Sequence, residues 1–173
     1  MYRYIFALLA LLLQYFPLVA QSSIVIKDDE VSRLIGYWVG ELTYLDYQTN
    51  QPYTMPANLR IARLGSKDEF AFEKIYPGEP QANSIDTVSL KGSTFMEGLL
   101  ISRKNVDQDV VELTTSSTGT DGNDNRAANF RHTYTIGKAI FQIKKEVQFV
   151  GTSSWILRHE YRYKRTNPKP LKR

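Results

Sequence analysis

Residues 154–165 read Ser-Trp-Ile-Leu-Arg-His-Glu-Tyr-Arg-Tyr-Lys-Arg, and two kinds of side chain alternate along them. One face of an extended chain carries the mostly apolar and aromatic set Trp155, Leu157, His159, Tyr161 and Tyr163. The opposite face carries the charged set Arg158, Glu160, Arg162 and Lys164. Because successive side chains of a strand point to opposite faces, this period of two predicts a β-strand with one buried face.

The same period continues upstream, where turn signals rich in Gly, Asn, Asp and Pro separate short extended segments. Nine strands are predicted, at about 37–46, 53–64, 69–76, 84–91, 94–103, 109–117, 129–137, 139–149 and 154–165. A helical turn or two over 29–35, capped by Asp28 or Asp29, precedes them. The connections are too short for crossover helices. The sequence therefore predicts an all-β, antiparallel up-and-down meander closed into a barrel, which removes exposed strand edges.

The chain has 173 residues, a formal net charge of +4 and no cysteine. Its length and its 42% hydrophobic and 23% charged residues are typical of one globular domain, which we place at 21–165. Without cysteine, a disulfide framework, a cysteine-ligated metal site and a cysteine nucleophile are excluded.

Residues 1–20 have the order of a secretory signal peptide: Arg3, the apolar run 5–13, and a small residue at the end. The apolar run is interrupted by Gln14 and Pro17 and is shorter than the ~20 residues that a membrane-spanning helix needs. We therefore expect an exported, periplasmic or extracellular protein without a stable membrane anchor.

The net positive charge of the chain comes mainly from its C-terminal end. Residues 164–173 contain five basic side chains and no acidic one, whereas residues 21–163 contain 16 basic and 18 acidic side chains. The body of the chain therefore has no excess of positive charge of the kind that binds nucleic acid, and no nucleic-acid partner is expected. Residues 166–173, with two prolines, are predicted to be a flexible basic tail.

Polar side chains interrupt several of the predicted inward faces. Lys145 falls among apolar residues of its strand, His132 precedes Tyr134 on one face, and Lys74 shares a face with Phe72. A solid core would favour aliphatic residues at these places, because a buried charge must be paired or neutralised. The pattern therefore favours a hydrated cavity inside the barrel.

The segment Gly36-Tyr37-Trp38-Val39-Gly40, followed by Glu41, resembles the G-x-W segment that opens the first strand of calycin-type barrels, namely lipocalins and fatty-acid-binding proteins. Its longer form is also similar to nitrobindin-like haem barrels. The resemblance implies a lipocalin-like barrel in which a basic residue of the last strand packs on the tryptophan. Arg165, or Arg162 if the phase differs, is expected to lie over Trp38 and close the barrel.

Motifs of catalysis are missing from the sequence. It contains no G-x-S-x-G elbow, no H-E-x-x-H pair, no P-loop and no dinucleotide-binding glycine pattern, so we do not expect an enzyme. The segment Asp121-Gly122-Asn123-Asp124-Asn125 has acids and amides at calcium-loop spacing, but Arg126 stands where such loops need glycine. A polar hairpin turn is the better interpretation, and no metal site is predicted.

Aromatic walls with a few polar groups are typical of small-molecule sites. The leading hypothesis is therefore a secreted or periplasmic barrel that binds a small hydrophobic or amphipathic molecule, with an anionic group favoured by the basic interior residues. The predicted ligand-binding residues are Tyr44, Phe70, Phe72, Arg103, His132, Tyr134, Phe141, Lys145, Trp155, His159 and Tyr161.

Two alternatives stay open. A haem iron takes His159, or His132 in second place, as its axial ligand; nitrobindin-like barrels also use a histidine from a late strand, and the competing interpretation is that each histidine bonds a neighbouring tyrosine or water. The second alternative is a structural or interaction domain whose interior is filled by side chains. The ligand hypothesis itself requires no cofactor.

Overall fold

The computed structural model describes residues 24–66, 68–90, 92–96 and 98–167. The predicted signal peptide and residues 168–173 of the predicted tail lie outside the described residues. The helix α1 spans Asp28–Ser32, and a 3₁₀ turn spans Pro80–Ala82. The strands are β1 Gly36–Leu45, β2 Pro52–Arg63, β3 Glu69–Ile75, β4 Ser84–Ser89, β5 Thr94–Phe95, β6 Gly98–Asp107, β7 Val110–Asp121, β8 Arg126–Ile136, β9 Ile140–Phe149 and β10 Ile156–Thr166.

All strands belong to one antiparallel sheet, in the order β4-β3-β2-β1-β10-β9-β8-β7-β6-β5. The pairing of β1 with β10 joins the two ends of the meander, with Trp38 opposite Arg165 and Tyr44 opposite His159. Within the described residues, no ladder joins β4 to β5. The sheet is therefore a nearly closed barrel, with one seam between its two edge strands.

The all-β meander and the N-terminal helical turn are confirmed, and the described residues form ten strands instead of the predicted nine. The difference lies at 94–103, which was predicted to be one strand. The chain reverses at Met96, whose φ of 48° is in the left-handed region, and forms the short hairpin β5–β6. At the other end of the domain, Thr166 belongs to β10, so the strand extends one residue into the predicted tail.

Helix α1 covers one end of the barrel. Its buried Glu30 accepts a hydrogen bond from the Lys27 backbone N–H at 2.9 Å, and its carboxylate is bound by the Arg103 guanidinium, whose Nε lies at 3.0 Å. Residue Lys27, rather than Asp28 or Asp29, is the N-cap. A carboxylate in the first turn also interacts favourably with the N-terminal backbone N–H groups of the helix. This end of the barrel is therefore anchored to β6.

Trp38 and Arg165 lie at the same covered end. The Arg165 guanidinium carbon is 4.2 Å from the Trp38 ring centroid, and the Trp38 indole N–H donates to the Leu34 carbonyl at 2.8 Å. Arg165 Nη1 also donates to the Ile35 carbonyl at 2.7 Å. Gly36 has a φ of +134°, which other residues rarely adopt, so glycine is needed here; a Cβ would also lie 2.6 Å from Arg165 Nη1 and displace the end of that side chain.

Gly40 allows β1 to approach β10 closely. A Cβ at this position would lie 2.0 Å from the Arg162 carbonyl oxygen, which is backbone and does not yield easily. The two glycines of the G-x-W-x-G segment therefore have separate steric functions. Arg162 itself is half exposed and pairs with Glu41 and Glu160 on the outer face.

Candidate functional site

The interior of the barrel is arranged in bands that run across neighbouring strands. In the band farther from α1, Tyr44 lies opposite His159, His159 opposite Lys145, Lys145 opposite His132, and His132 opposite Thr115. Inward-facing residues of adjacent antiparallel strands are direct neighbours at such positions. Five strands thus form one continuous polar band.

The next band toward α1 is mainly aromatic and aliphatic. Tyr161 lies opposite Ile143, and Ile143 lies opposite Tyr134. The hydroxyl of Tyr161 is 3.0 Å from the hydroxyl of Tyr76, and its ring stacks on Tyr163 with centroids 5.6 Å apart. Burial raises the pKa of Tyr163, so its hydroxyl stays protonated near neutral pH.

A cavity of about 490 Å³ lies between these bands and the edge strand β4. Its lining combines apolar walls with hydroxyl, imidazole, ammonium and carboxylate groups. The lining residues are Leu59, Phe72, Lys74, Asp86, Thr87, Val88, Ser89, Met96, His132, Tyr134, Ile143, His159, Tyr161 and Tyr163. A smaller cavity of about 230 Å³ adjoins it through His159 and is lined by Leu42, Tyr44, Leu45, Tyr47, Lys145, Arg158 and His159.

His159 is electrically neutral near neutral pH. Burial, followed by the positive charge of Lys145 and then by His132 and Lys74, lowers the pKa of His159 to about 4, and Asp121 opposes this shift. An imidazole with this pKa offers one N–H donor and one nitrogen lone pair toward the cavities.

The cations around the two cavities differ in their partners. Lys74 Nζ lies 2.7 Å from Asp86 Oδ2, and Arg158 Nε lies 2.6 Å from Asp121 Oδ2. Lys145 Nζ instead lies 4.5 Å from the Phe130 ring centroid, and no carboxylate among the described residues is within ion-pair distance of it. Lys145 therefore carries the cavity charge that lacks an anionic partner in the described part of the chain.

Five of the predicted ligand-binding residues line the larger cavity, namely Phe72, His132, Tyr134, His159 and Tyr161. Two more, Tyr44 and Lys145, line the smaller one. Phe70 and Phe141 are fully buried in the packed core and border neither cavity. Direct ligand contact by the cavity residues stays a prediction.

Arg103 and Trp155 lie elsewhere. Arg103 faces inward opposite Leu113, but it lies at the height of α1 and is bound to Glu30 there. Trp155 was predicted to face inward with His159, and this orientation is wrong: its ring lies 4.4 Å from the Arg131 guanidinium, which pairs with Glu146 on the outer face. The register of β10 against β9 shifts between Leu157 and His159, which leaves Arg158 as an extra residue without a partner in the ladder. The residues before Arg158 therefore point to the opposite face from the one that strict alternation predicts. Leu157 is exposed for the same reason.

Several lining residues were absent from the predicted site, among them Lys74, Asp86, Val88 and Met96. Lys74 had the correct inward phase in the sequence. Asp86 and Val88 alternate with the outward Ile85 and Thr87 of β4. Hydropathy did not indicate this phase, because the apolar Ile85 faces outward and the acidic Asp86 faces the cavity. Nothing in the sequence indicated Met96, because its position follows from the β5–β6 reversal.

The end of the barrel opposite α1 is crossed by the loop of residues 46–51. Its Tyr47 hydroxyl donates to Asp121 Oδ1 at 2.9 Å, although β10, β9 and β8 separate β1 from β7 in the sheet. The Arg158 guanidinium carbon lies 4.4 Å from the Tyr47 ring centroid and its Nε binds the same carboxylate. We call Tyr47, Asp121 and Arg158 the latch.

No helix in the described ranges is long and apolar enough to cross a membrane. No protein-family model matches the chain, and no curated protein matches it.

Solved structures do match. The crystal structure of Rv2717c from M. tuberculosis superposes with a TM-score of 0.52 at 13% identity, covering 83% of this chain and 100% of that one. A Bacteroides fragilis structure named "putative outer membrane protein" gives a TM-score of 0.39 at 10% identity, covering 80% of this chain and 52% of that chain. The likeness to Rv2717c shows the fold alone: this chain is a nearly closed antiparallel β-barrel, consistent with a calycin-like barrel.

Proposed function

We propose that this chain is an exported binding protein whose barrel holds a small, partly apolar molecule with an anionic group. The observation that carries the proposal is the cavity of about 490 Å³ with its mixed lining. Export rests on the signal-like order of residues 1–20.

The cavity volume favours ligand binding over a structural domain with a filled interior. Small-molecule sites typically have volumes of ~300–1,000 Å³, apolar walls and a few placed polar groups. Here Leu59, Phe72, Val88 and Ile143 supply apolar surface, and the tyrosine hydroxyls and imidazoles supply hydrogen bonds.

The charge distribution favours an anionic group on the ligand. Asp86 offsets Lys74 and Asp121 offsets Arg158, whereas His159 contributes no positive charge near neutral pH. Among the described residues that line the two cavities, Lys145, next to His159 on the interior face, is the cation available to a ligand. A carboxylate or phosphate placed there gains a charge-assisted hydrogen bond.

The site is tested by filling it. The fluorescent fatty acid parinaric acid is titrated into the mature protein, into Val88→Trp, which fills the larger cavity, and into Ile85→Trp. Ile85 lies on the same strand but is 69% exposed on the outer face, so it is the matched control. We expect saturable binding that Val88→Trp abolishes and Ile85→Trp leaves intact, with thermal unfolding showing that both variants are folded.

Mass spectrometry of the organic extract of denatured, freshly purified protein provides a second readout. An amphipathic acid in near-stoichiometric amount supports the proposal. An extract without small molecules, together with no binding of parinaric acid, rejects it.

Haem binding is a second candidate, favoured by one observation: the neutral imidazole of His159 faces an aromatic cavity. Neutral imidazole is the form that binds iron, and haem supplies redox or gas-binding chemistry when bound. The aromatic surface of Tyr161 and Tyr163 beside His159 fits a porphyrin face. His159 is the first choice of axial ligand, and His132 is the second.

Titration with hemin tests the haem candidate. A Soret band of bound haem that His159→Ala abolishes and His132→Ala preserves supports it. A spectrum of free hemin only rejects it and leaves the small-ligand proposal standing.

A further inference from the structure

The larger cavity reaches the edge of the sheet at β4. It is lined by the four consecutive residues Asp86–Ser89, whereas an enclosed cavity touches only the inward half of a strand, because neighbouring side chains point to opposite faces. Thr87 and the serine at 89 are exposed members of this lining. The cavity therefore extends past the β4 backbone to the unpaired seam.

The strand on the opposite side of the seam, β5, is short. Strand β5 has two residues, and Met96, which follows it, lines the same cavity. In the described part of the chain, no ladder connects β5 to β4. Backbone hydrogen bonds of the described strands therefore do not close the barrel wall between β4 and β5.

The end of the barrel is held shut instead. Tyr47 and Arg158 both bind Asp121, and the Asp121 and Arg158 side chains are only 6% and 10% exposed. The loop that carries Tyr47 is fixed by its own turn: the Asp46 carboxylate accepts from the backbone N–H groups of Gln48 and Thr49. The hydroxyl and the ring of the half-exposed Tyr47 thus hold this ordered loop against the buried Arg158–Asp121 ion pair.

We infer that small molecules enter the interior through the side of the barrel, between β4 and β5, while the latch keeps the end of the barrel closed. This inference rests on the proposed function for the identity of the molecule that enters. The route itself depends only on the seam and the latch, so it is testable with a reagent that is not a ligand.

The chain has no cysteine, so a single introduced thiol reports access to the cavity. Ile143→Cys places a thiol on the cavity wall, on a strand far from the seam in the sheet order. Leu157→Cys places one on the exposed outer face and controls for reagent reactivity. The reagent is the small anion 2-sulfonatoethyl methanethiosulfonate, and mass spectrometry follows the labelling rate.

Three substitutions are then added to Ile143→Cys. Thr87→Trp places a bulky group at the seam, and we expect it to slow labelling about tenfold, as for a narrowed gate. Ile85→Trp, on the same strand but outside the cavity lining, is expected to change the rate by less than about twofold. Tyr47→Ala releases the loop from the latch and opens the end of the barrel as a second route, so it is expected to raise the rate by at least about twofold. Labelling of Leu157→Cys is expected to stay constant throughout.

Two results overturn the inference. One is an unchanged labelling rate of Ile143→Cys when Tyr47→Ala is added, which shows that the latch does not keep the end of the barrel closed. The other is equal labelling of the Thr87→Trp and Ile85→Trp forms, including the case in which neither is labelled. Neither result bears on whether parinaric acid binds, so failure of the entry route and failure of the proposed function are distinguishable.

Discussion

The guanidinium Nε of Arg158 lies 2.6 Å from the carboxylate Oδ2 of Asp121, and both side chains are almost wholly buried. Arg158 reaches this position because it is the extra residue at the register shift in β10. One local irregularity thus joins the last strand to the end of β7 and, through Tyr47, to the loop after β1. The barrel end farthest from α1 depends on this relationship.

Removal of the Asp121 carboxylate is expected to be strongly destabilising. Asp121→Ala leaves Arg158 charged and buried without its partner, which costs about 3 kcal/mol or more of unfolding free energy. Chemical denaturation measures the change. Lys138→Ala, which breaks the exposed Lys138–Asp109 pair, is the control and should change stability by less than about 1 kcal/mol. Equal effects of the two substitutions would contradict a stabilising latch.

A methyl group at Gly40 is expected to disrupt the β1–β10 pairing. The added Cβ would meet the Arg162 carbonyl at 2.0 Å, so Gly40→Ala should cost at least the ~1–3 kcal/mol typical of overpacking. Gly65→Ala is the matched control, because nothing lies within 4 Å of a Cβ there. Thermal unfolding of both variants checks this, and a Gly40→Ala protein as stable as Gly65→Ala would refute the close approach.

Stability is expected to fall as the solution becomes more acidic. The pKa of His159 is about 4 in the folded chain, against 6.5 for a solvated histidine side chain, so the unfolded chain binds the proton more readily. The contribution is complete above the unfolded pKa and is lost as the pH falls toward the folded pKa, and it amounts to about 2 kcal/mol between about pH 7 and about pH 5.

His159→Gln removes this titration. Denaturation of the wild type and of His159→Gln at both pH values isolates the His159 contribution from that of the carboxylates. The substitution should flatten the pH dependence. Parallel curves for the two proteins would show that His159 is not desolvated in the folded state.

Much of the fold could be predicted from local sequence patterns. Apolar and polar residues alternate along a strand because successive side chains point to opposite faces, and this alternation is visible without knowing which strands pair. The alternation at residues 139–149 predicted β9 within a residue at each end. Trp155 was misplaced because a bulge at Arg158 depends on the pairing with β9, which no single strand reveals. Met96 was missed for a similar reason, since its turn splits one apparently continuous strand.

The sequence predicted those site residues whose inward direction follows from the alternation of side chains along a strand. His132, Tyr134, His159 and Tyr161 have the correct inward phase in the sequence and line the cavity. Arg103 also has an inward neighbour in Leu113, yet its height along the barrel places it against Glu30. Height depends on strand stagger, which a single sequence does not provide.

The central claim is that the two adjoining cavities bind an amphipathic anion, whose charged group is contacted by Lys145 in the smaller cavity. Isothermal titration of decanoic acid and of its methyl ester, into the wild type and into Lys145→Met, tests it most directly because the ester lacks the charge. We expect the wild type to prefer the acid about tenfold, which corresponds to ~1.4 kcal/mol, and Lys145→Met to lose the preference while still binding the ester. The same acid-to-ester ratio in both proteins, or no binding of either compound to the wild type, would contradict the account.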